Sequence, residues 1–192
     1  MKNVLVTLLL LGLVATSASA ENRIEEKTCE ARSDGHVDVS NVSGSVTVSA
    51  WEKNEVYVHA ELEENVKRLE VSCLAGRIKI KVEIDKNKKR EKAAYLKIRV
   101  PAGNSLDVDT VSASIDVSGV TGELDLGSVS GDIDEVGDAA SIEAESVSGD
   151  VTIEGSADSI RAMTVSGDIE LEGNAPELRV DSVSGSIDVE GD

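Results

Sequence analysis

The sequence predicts an all-β protein, a β-solenoid of eighteen-residue coils preceded by an irregular β N-terminal cap. Three observations predict it. One hexapeptide recurs at a fixed interval through the last half of the chain, and apolar and polar residues alternate with a period of two around each copy. The chain also has no Phe, as expected of an interior too narrow for large rings and filled by Val, Ile, Leu and Ala.

Residues 1–20 read as a secretory signal peptide. Lys2 supplies the positive start, Val4 to Val14 the short apolar run, and Ala18-Ser19-Ala20 the cleavage site. That run is short for a membrane span and no later one reaches the length required, so no membrane span is expected. A lipid anchor needs a cysteine at the cleavage point, whereas Cys29 lies nine residues beyond it. The mature chain, from Glu21, is expected to be exported to the periplasm or to the cell surface and medium. In such a compartment Cys29 and Cys73, the only cysteines, are expected to form a disulfide.

Residues 21–105 form an N-terminal β region with one coil-like unit and a hairpin. Asn41-Val42-Ser43-Gly44-Ser45-Val46 matches the later repeat. Val56 and Val58 share one strand face, with Tyr57 on the other. Ile78, Ile80, Val82 and Ile84 alternate with charged residues, as do Leu96, Ile98 and Val100, and these two segments are expected to pair antiparallel. The charged run Lys86-Asn87-Lys88-Lys89-Arg90-Glu91-Lys92 between them reads as their exposed loop, or else as a contact for an anionic partner. Pro101-Ala102-Gly103-Asn104 is a turn into the array. His36 and His59 have no metal-ligand or nucleophile-base spacing and are expected at the surface.

Residues 106–192 are the β-solenoid repeats. Thr110-Val111-Ser112-Ala113-Ser114-Ile115 returns as Ser128-Val129-Ser130-Gly131-Asp132-Ile133 and in three further copies beginning at Ser146, Thr164 and Ser182. Gly119, Gly137, Gly155, Gly173 and Gly191 keep the same register. Within one unit Val147, Gly149, Val151, Ile153 and Gly155 take every second place, which predicts one half-buried strand. Ile160 and Ala162 then alternate on the opposite parity, and Val165 switches it back. Two changes of parity mean two corners and two or three short strands per coil. A single coil buries too few small side chains to offset the entropy of ordering it, so the coils must stack.

Charge divides the chain. Glu21 to Val100 holds fifteen Asp and Glu against sixteen Lys and Arg, whereas Pro101 to Asp192 holds twenty-two against two, Arg161 and Arg179. Such a half cannot neutralise phosphates, which argues against nucleic acid as a partner and disfavours anionic membranes.

The order of coil-like unit, Trp51, irregular strands ending in Ile98-Arg99-Val100-Pro101-Ala102-Gly103, and tandem V-S-G-[DS]-[IV] units resembles the bacterial putative-adhesin family of β-strand-repeat envelope proteins. The resemblance spans nearly the whole mature chain. It implies an exported β-repeat protein and carries over no catalytic residue. The residues lead the same way: no Trp, Tyr or His follows Tyr95, and no carboxylate pair stands out, so an enzyme acting on polysaccharide is the least favoured reading.

The expectation is a noncatalytic exported module of the bacterial cell envelope, serving binding, adhesion or scaffolding toward an unknown partner and requiring no cofactor. Its face would comprise rows such as Ser148-Asp150-Thr152-Glu154. The alternative is a calcium-binding β-repeat protein. Asp132, Asp150 and Asp168 share a column, where stacking about 4.8 Å apart costs about 1 kcal/mol of repulsion per pair. Either backbone N–H groups offset that cost or calcium bridges the column. The chain ends on a strand with Ile187 and Val189 inward and Asp188, Glu190 and Asp192 along it. Those charges oppose end-to-end pairing, so a monomer is expected at neutral pH.

Overall fold

The computed structural model describes residues 22–74, 76–85 and 93–191. The expected signal peptide and the run Lys86–Lys92 lie outside these residues, as does Asp192. The described residues form fifteen strands of one continuous hydrogen-bonded sheet and no helix.

The centre of the molecule is a pair of long strands, β2 (His36–Trp51) and β7 (Ser105–Ser118), aligned in parallel from His36↔Ser105 to Ser49↔Ser118. Each bends through a full coil, so its first half belongs to one wall and its second half to the other. From β7 onward the walls are built by separate short strands. One wall continues through β8 (Glu123–Ser128), β10 (Ser141–Ser146), β12 (Ser159–Thr164) and β14 (Glu177–Ser182). The other continues through β9 (Ile133–Val136), β11 (Val151–Glu154), β13 (Ile169–Glu172) and β15 (Ile187–Glu190). Every pairing along both walls is parallel, and each moves eighteen residues per step, as in Ile142↔Ile160 and Val151↔Ile169. These are the expected coils, with two strands and two corners each.

The N-terminal strands extend the same walls in the other direction. Beyond the first half of β2 lie β5 (Arg77–Ile84), parallel to it, and β4 (Val66–Leu74), antiparallel to β5. Beyond its second half lie β6 (Ala94–Pro101), parallel, then β3 (Glu55–Leu62) and β1 (Arg23–Glu30), antiparallel in turn. Here the structure corrects an expectation. The segments at 78–84 and 96–100 do not pair with each other, because β2 supplies a partner for both, one on each wall. The hairpin in this region is β4–β5. The turn at Pro101–Asn104 is as expected, with the Asn104 N–H donating to the Pro101 carbonyl (3.1 Å).

The core is the strip between the walls. Leu106, Leu124, Ile142 and Ile160 face Ile115, Ile133, Val151 and Ile169 with almost no exposed surface. Four to six aliphatic side chains per coil, each worth about 1.5–3 kcal/mol when buried, are covered only because a neighbouring coil lies on either side.

The apolar alternation expected through the hexapeptide breaks at a corner. Val147 is 45 % exposed, Gly149 is buried, and the strand begins only at Val151. The Ser146 hydroxyl accepts the Gly149 N–H (2.9 Å) and donates to the Gly131 carbonyl of the preceding coil (3.4 Å). Thr164 and Ser182 repeat both bonds. A side chain at position 149 would collide with the Gly131 carbonyl, so glycine is required for close approach of coils. The hydroxyl and the glycine turn the chain here and leave the valine between them outside.

Candidate functional site

Outward residues of the walls form columns, and on the first wall strand pairing assembles a row of charge. Lys79, Asp38, Asp107, Asp125, Glu143, Arg161 and Arg179 are successive partners across β5, β2, β7, β8, β10, β12 and β14. Four carboxylates therefore lie side by side between cations. Arg77 clamps Asp38 with two bonds (2.7 and 2.8 Å) and holds its carboxyl below the usual range. Partial burial, then the charges of Asp109 and Asp38, push Asp107 up, and partial burial with Asp107 and Glu143 pushes Asp125 up. At the far end Arg161 Nε lies 3.5 Å from Glu143.

His36 joins this row. It is half-buried, and its Nε2 lies 3.3 Å from Asp38 Oδ1 without hydrogen-bond geometry. One ligand atom each from His36, Asp38 and Asp107 fall within 4.8 Å of one another. These three residues could hold a metal, although Asp38 is already engaged by Arg77. Sequence spacing did not reveal the group, since His36 and Asp107 meet only through the β2–β7 pairing. His59, on β3, lies 3.2 Å from Glu26.

Asp132, Asp150 and Asp168, the candidate calcium ligands, do form one exposed column. The Asp150 N–H donates to Asp132 Oδ1 (3.0 Å), the Asp168 N–H to Asp150 (2.8 Å), and the Ser186 N–H to Asp168 (2.7 Å). Each carboxylate thus accepts the backbone amide of the next coil, which offsets the repulsion along the column.

One carboxylate faces inward. Glu135 occupies the column of Val117, Ile153 and Leu171, is fully buried, and neither of its oxygens has a hydrogen-bond partner. Burial, and secondarily Asp138, pushes its carboxyl up to about 8. Alignment of the repeats exposes this residue as the one acid in an apolar column, a signal available in the sequence.

Cys29 and Cys73 are bonded, with Cα atoms 5.8 Å apart. Among the described residues no helix is long and apolar enough to cross a membrane. The exposed valines of the corners border a shallow groove of about 650 Å³ along the first wall.

A family model described as Toastrack DUF4097 matches residues 14–191, the whole of this architecture. The chain belongs to the Toastrack family. Its fold is shared by a putative cell adhesion protein from Clostridium sporogenes ATCC 15579, at 10 % identity and a TM-score of 0.53, covering 90 % of this chain and 100 % of that one. A putative adhesin from Bacteroides fragilis NCTC 9343 is similar at 16 % identity and a TM-score of 0.41, over 90 % and 99 % of the chains. A putative lipid binding protein from Parabacteroides distasonis ATCC 8503 is similar at 12 % identity and a TM-score of 0.42, over 88 % and 94 %. No curated protein matches the chain. The Toastrack assignment agrees with the resemblance read from the V-S-G-[DS]-[IV] units.

Proposed function

We propose that this Toastrack protein is a noncatalytic binding module of the bacterial cell envelope, exported by residues 1–20 and presenting rigid, acidic walls to a partner. The observation that carries this reading is the fixed in-register stacking of outward carboxylates on both walls, as in Asp107–Asp125–Glu143 and Asp116–Asp134. Stacked coils allow such a surface little rearrangement, so it is organised before a partner arrives. The Cys29–Cys73 bond supports an oxidising compartment. The arginines of the array lie beside carboxylates, Arg161 Nε at 3.5 Å from Glu143 without hydrogen-bond geometry and Arg179 bonded to Asp181 at 2.7 Å, which supports a partner other than nucleic acid. The carboxylates keep copies apart, and we assign the monomer as the working state at neutral pH.

Affinity capture from intact envelope with the mature protein tests the reading. A specific partner, released by salt, is expected; recovery of none counts against a binding role. Assay on a panel of polysaccharides tests the noncatalytic part, and turnover abolished by changing one carboxylate pair would overturn it.

A further inference from the structure

The corner valines form a ladder of their own. Val111, Val129, Val147 and Val165 are each 44–46 % exposed, and Val183 is 76 % exposed. Backbone bonds hold them in register: the carbonyls of Val111, Val129 and Val147 accept the N–H groups of Ser130, Ser148 and Ser166 in the next coil (2.9–3.0 Å). The rungs therefore stand about 4.8 Å apart, and five of them make a stripe about 19 Å long.

The corner itself does not demand valine, because the turn is made by the hydroxyl one residue before and the glycine two residues after. Yet the column is valine in all five coils. The column two residues earlier has diverged to Asp109, Gly127, Glu145, Met163 and Asp181, so the coils have not simply remained copies of one another. Exposed carboxylates precede the rung by two residues at Asp109, Glu145 and Asp181, and follow it by three at Asp132, Asp150 and Asp168. Among the described residues Arg179 is the one cation lining the groove, and it is paired with Asp181 at 2.7 Å. An apolar stripe thus runs between acidic rows, which fits a partner with an apolar stripe between basic ones.

The rung spacing selects the partner's conformation. A helix presents one row of side chains per turn, about 5.4 Å along its axis, and falls into step with rungs about 4.8 Å apart when inclined by about 27°. An extended strand presents same-face residues about 6.7 Å apart and would have to incline by about 44° to match the rungs, which carries its narrow backbone off the stripe within two of them. Resting on the reading of this protein as a binding module, we propose that the valine ladder and its groove are the docking site for a basic amphipathic α-helix of a partner protein, about fourteen residues long.

The test uses the mature protein and two synthetic peptides of about fourteen residues with identical leucine and lysine composition, one with leucines at helical period and one strictly alternating. Fluorescence anisotropy is expected to show the helical-period peptide binding at least tenfold more tightly, with circular dichroism reporting a gain of helix on binding. The triple variant Val129→Thr/Val147→Thr/Val165→Thr keeps β-branching at the corners and is expected to bind at least tenfold more weakly while melting as the parent does. Should it melt early, the single variant Glu145→Gln, which removes one rim charge, is expected to weaken binding and flatten its salt dependence. Equal binding of both peptides, or undiminished binding by a folded threonine variant, would overturn the proposal. So would a dimer of the parent that the threonine variant loses, since a second copy would then be the occupant. An envelope partner captured equally by parent and threonine variant would leave the binding module standing and remove the valine face from it.

Discussion

Cys29 and Cys73 are bonded across the end of the molecule, and the bond joins β1, the outermost strand of one wall, to β4, the outermost strand of the other. Elsewhere the walls are linked by the chain turning at each corner, and at this end residues 63–65 carry the chain from β3 on one wall to β4 on the other, leaving β1 and β4 as the edge strands. The disulfide closes them over the core residues Val56, Val58, Ile80 and Val82. Closing a loop of 44 residues in the unfolded chain stabilises the fold by about 4 kcal/mol. Urea unfolding of the reduced protein, or of Cys29→Ser/Cys73→Ser, is expected to show an unfolding free energy lower by that amount and a correspondingly lower midpoint, with protection lost first in β1 and β4 by hydrogen exchange.

Glu135 makes stability fall with rising pH. Its folded pKa of about 8 lies above its ordinary value of 4.5, so the folded state holds a proton that the unfolded state releases. The favourable contribution is complete below about pH 4.5, is lost as pH rises through the interval to about 8, and changes no further above it. At pH 7 the cost amounts to about 3 kcal/mol relative to an acid without the shift. Glu135→Ile, which places the residue of the neighbouring coil's Ile153 in the same column, is expected to raise the melting temperature at pH 7–8 and flatten this part of the pH profile. A profile unchanged by the substitution would show that Glu135 is not the titrating group.

The corner chemistry is tested by two substitutions with a control. Gly149→Ala sets a methyl group against the Gly131 carbonyl and is expected to cost about 2 kcal/mol or more. Ser146→Ala leaves the Gly149 N–H buried without its acceptor and is expected to cost about 1–3 kcal/mol. Gly127→Ala, whose new carbon would lie 3.3 Å from a carboxylate oxygen of exposed Asp109, is expected to be nearly neutral. Chemical denaturation of the three variants ranks them.

Because backbone amides already serve Asp132, Asp150 and Asp168, calorimetric titration with calcium is expected to give no heat at this column and no rise in melting temperature. Heat that disappears in Asp150→Asn would establish calcium there instead.

Light scattering across pH and salt checks the oligomeric state. A monomer is expected at pH 7 in low salt, with association appearing as carboxylates are protonated or screened. A stable dimer at pH 7 in low salt would show that the acidic walls are no barrier.

The repeat length and the columns of its extended stretches were legible in the residues alone. The eighteen-residue step, the inward columns such as Ile142 and Ile160, the two corners per coil and the acidic outer columns all follow from neighbouring residues whose alternation states which way each side chain points. The pairing of the two cysteines followed from their number and the oxidising compartment that residues 1–20 predict. Tertiary structure decided which strands meet. Residues 78–84 and 96–100 alternate equally well, and nothing local says that β2 separates them by taking one on each wall. The same long-range pairing brings His36 and Asp38 beside Asp107, contacts made across some seventy residues of chain. It also decided that Val147 faces out while Val151 faces in. Alternation predicts a face only while the backbone stays extended, and the hydroxyl of Ser146 and the close approach at Gly149 end the extension between them.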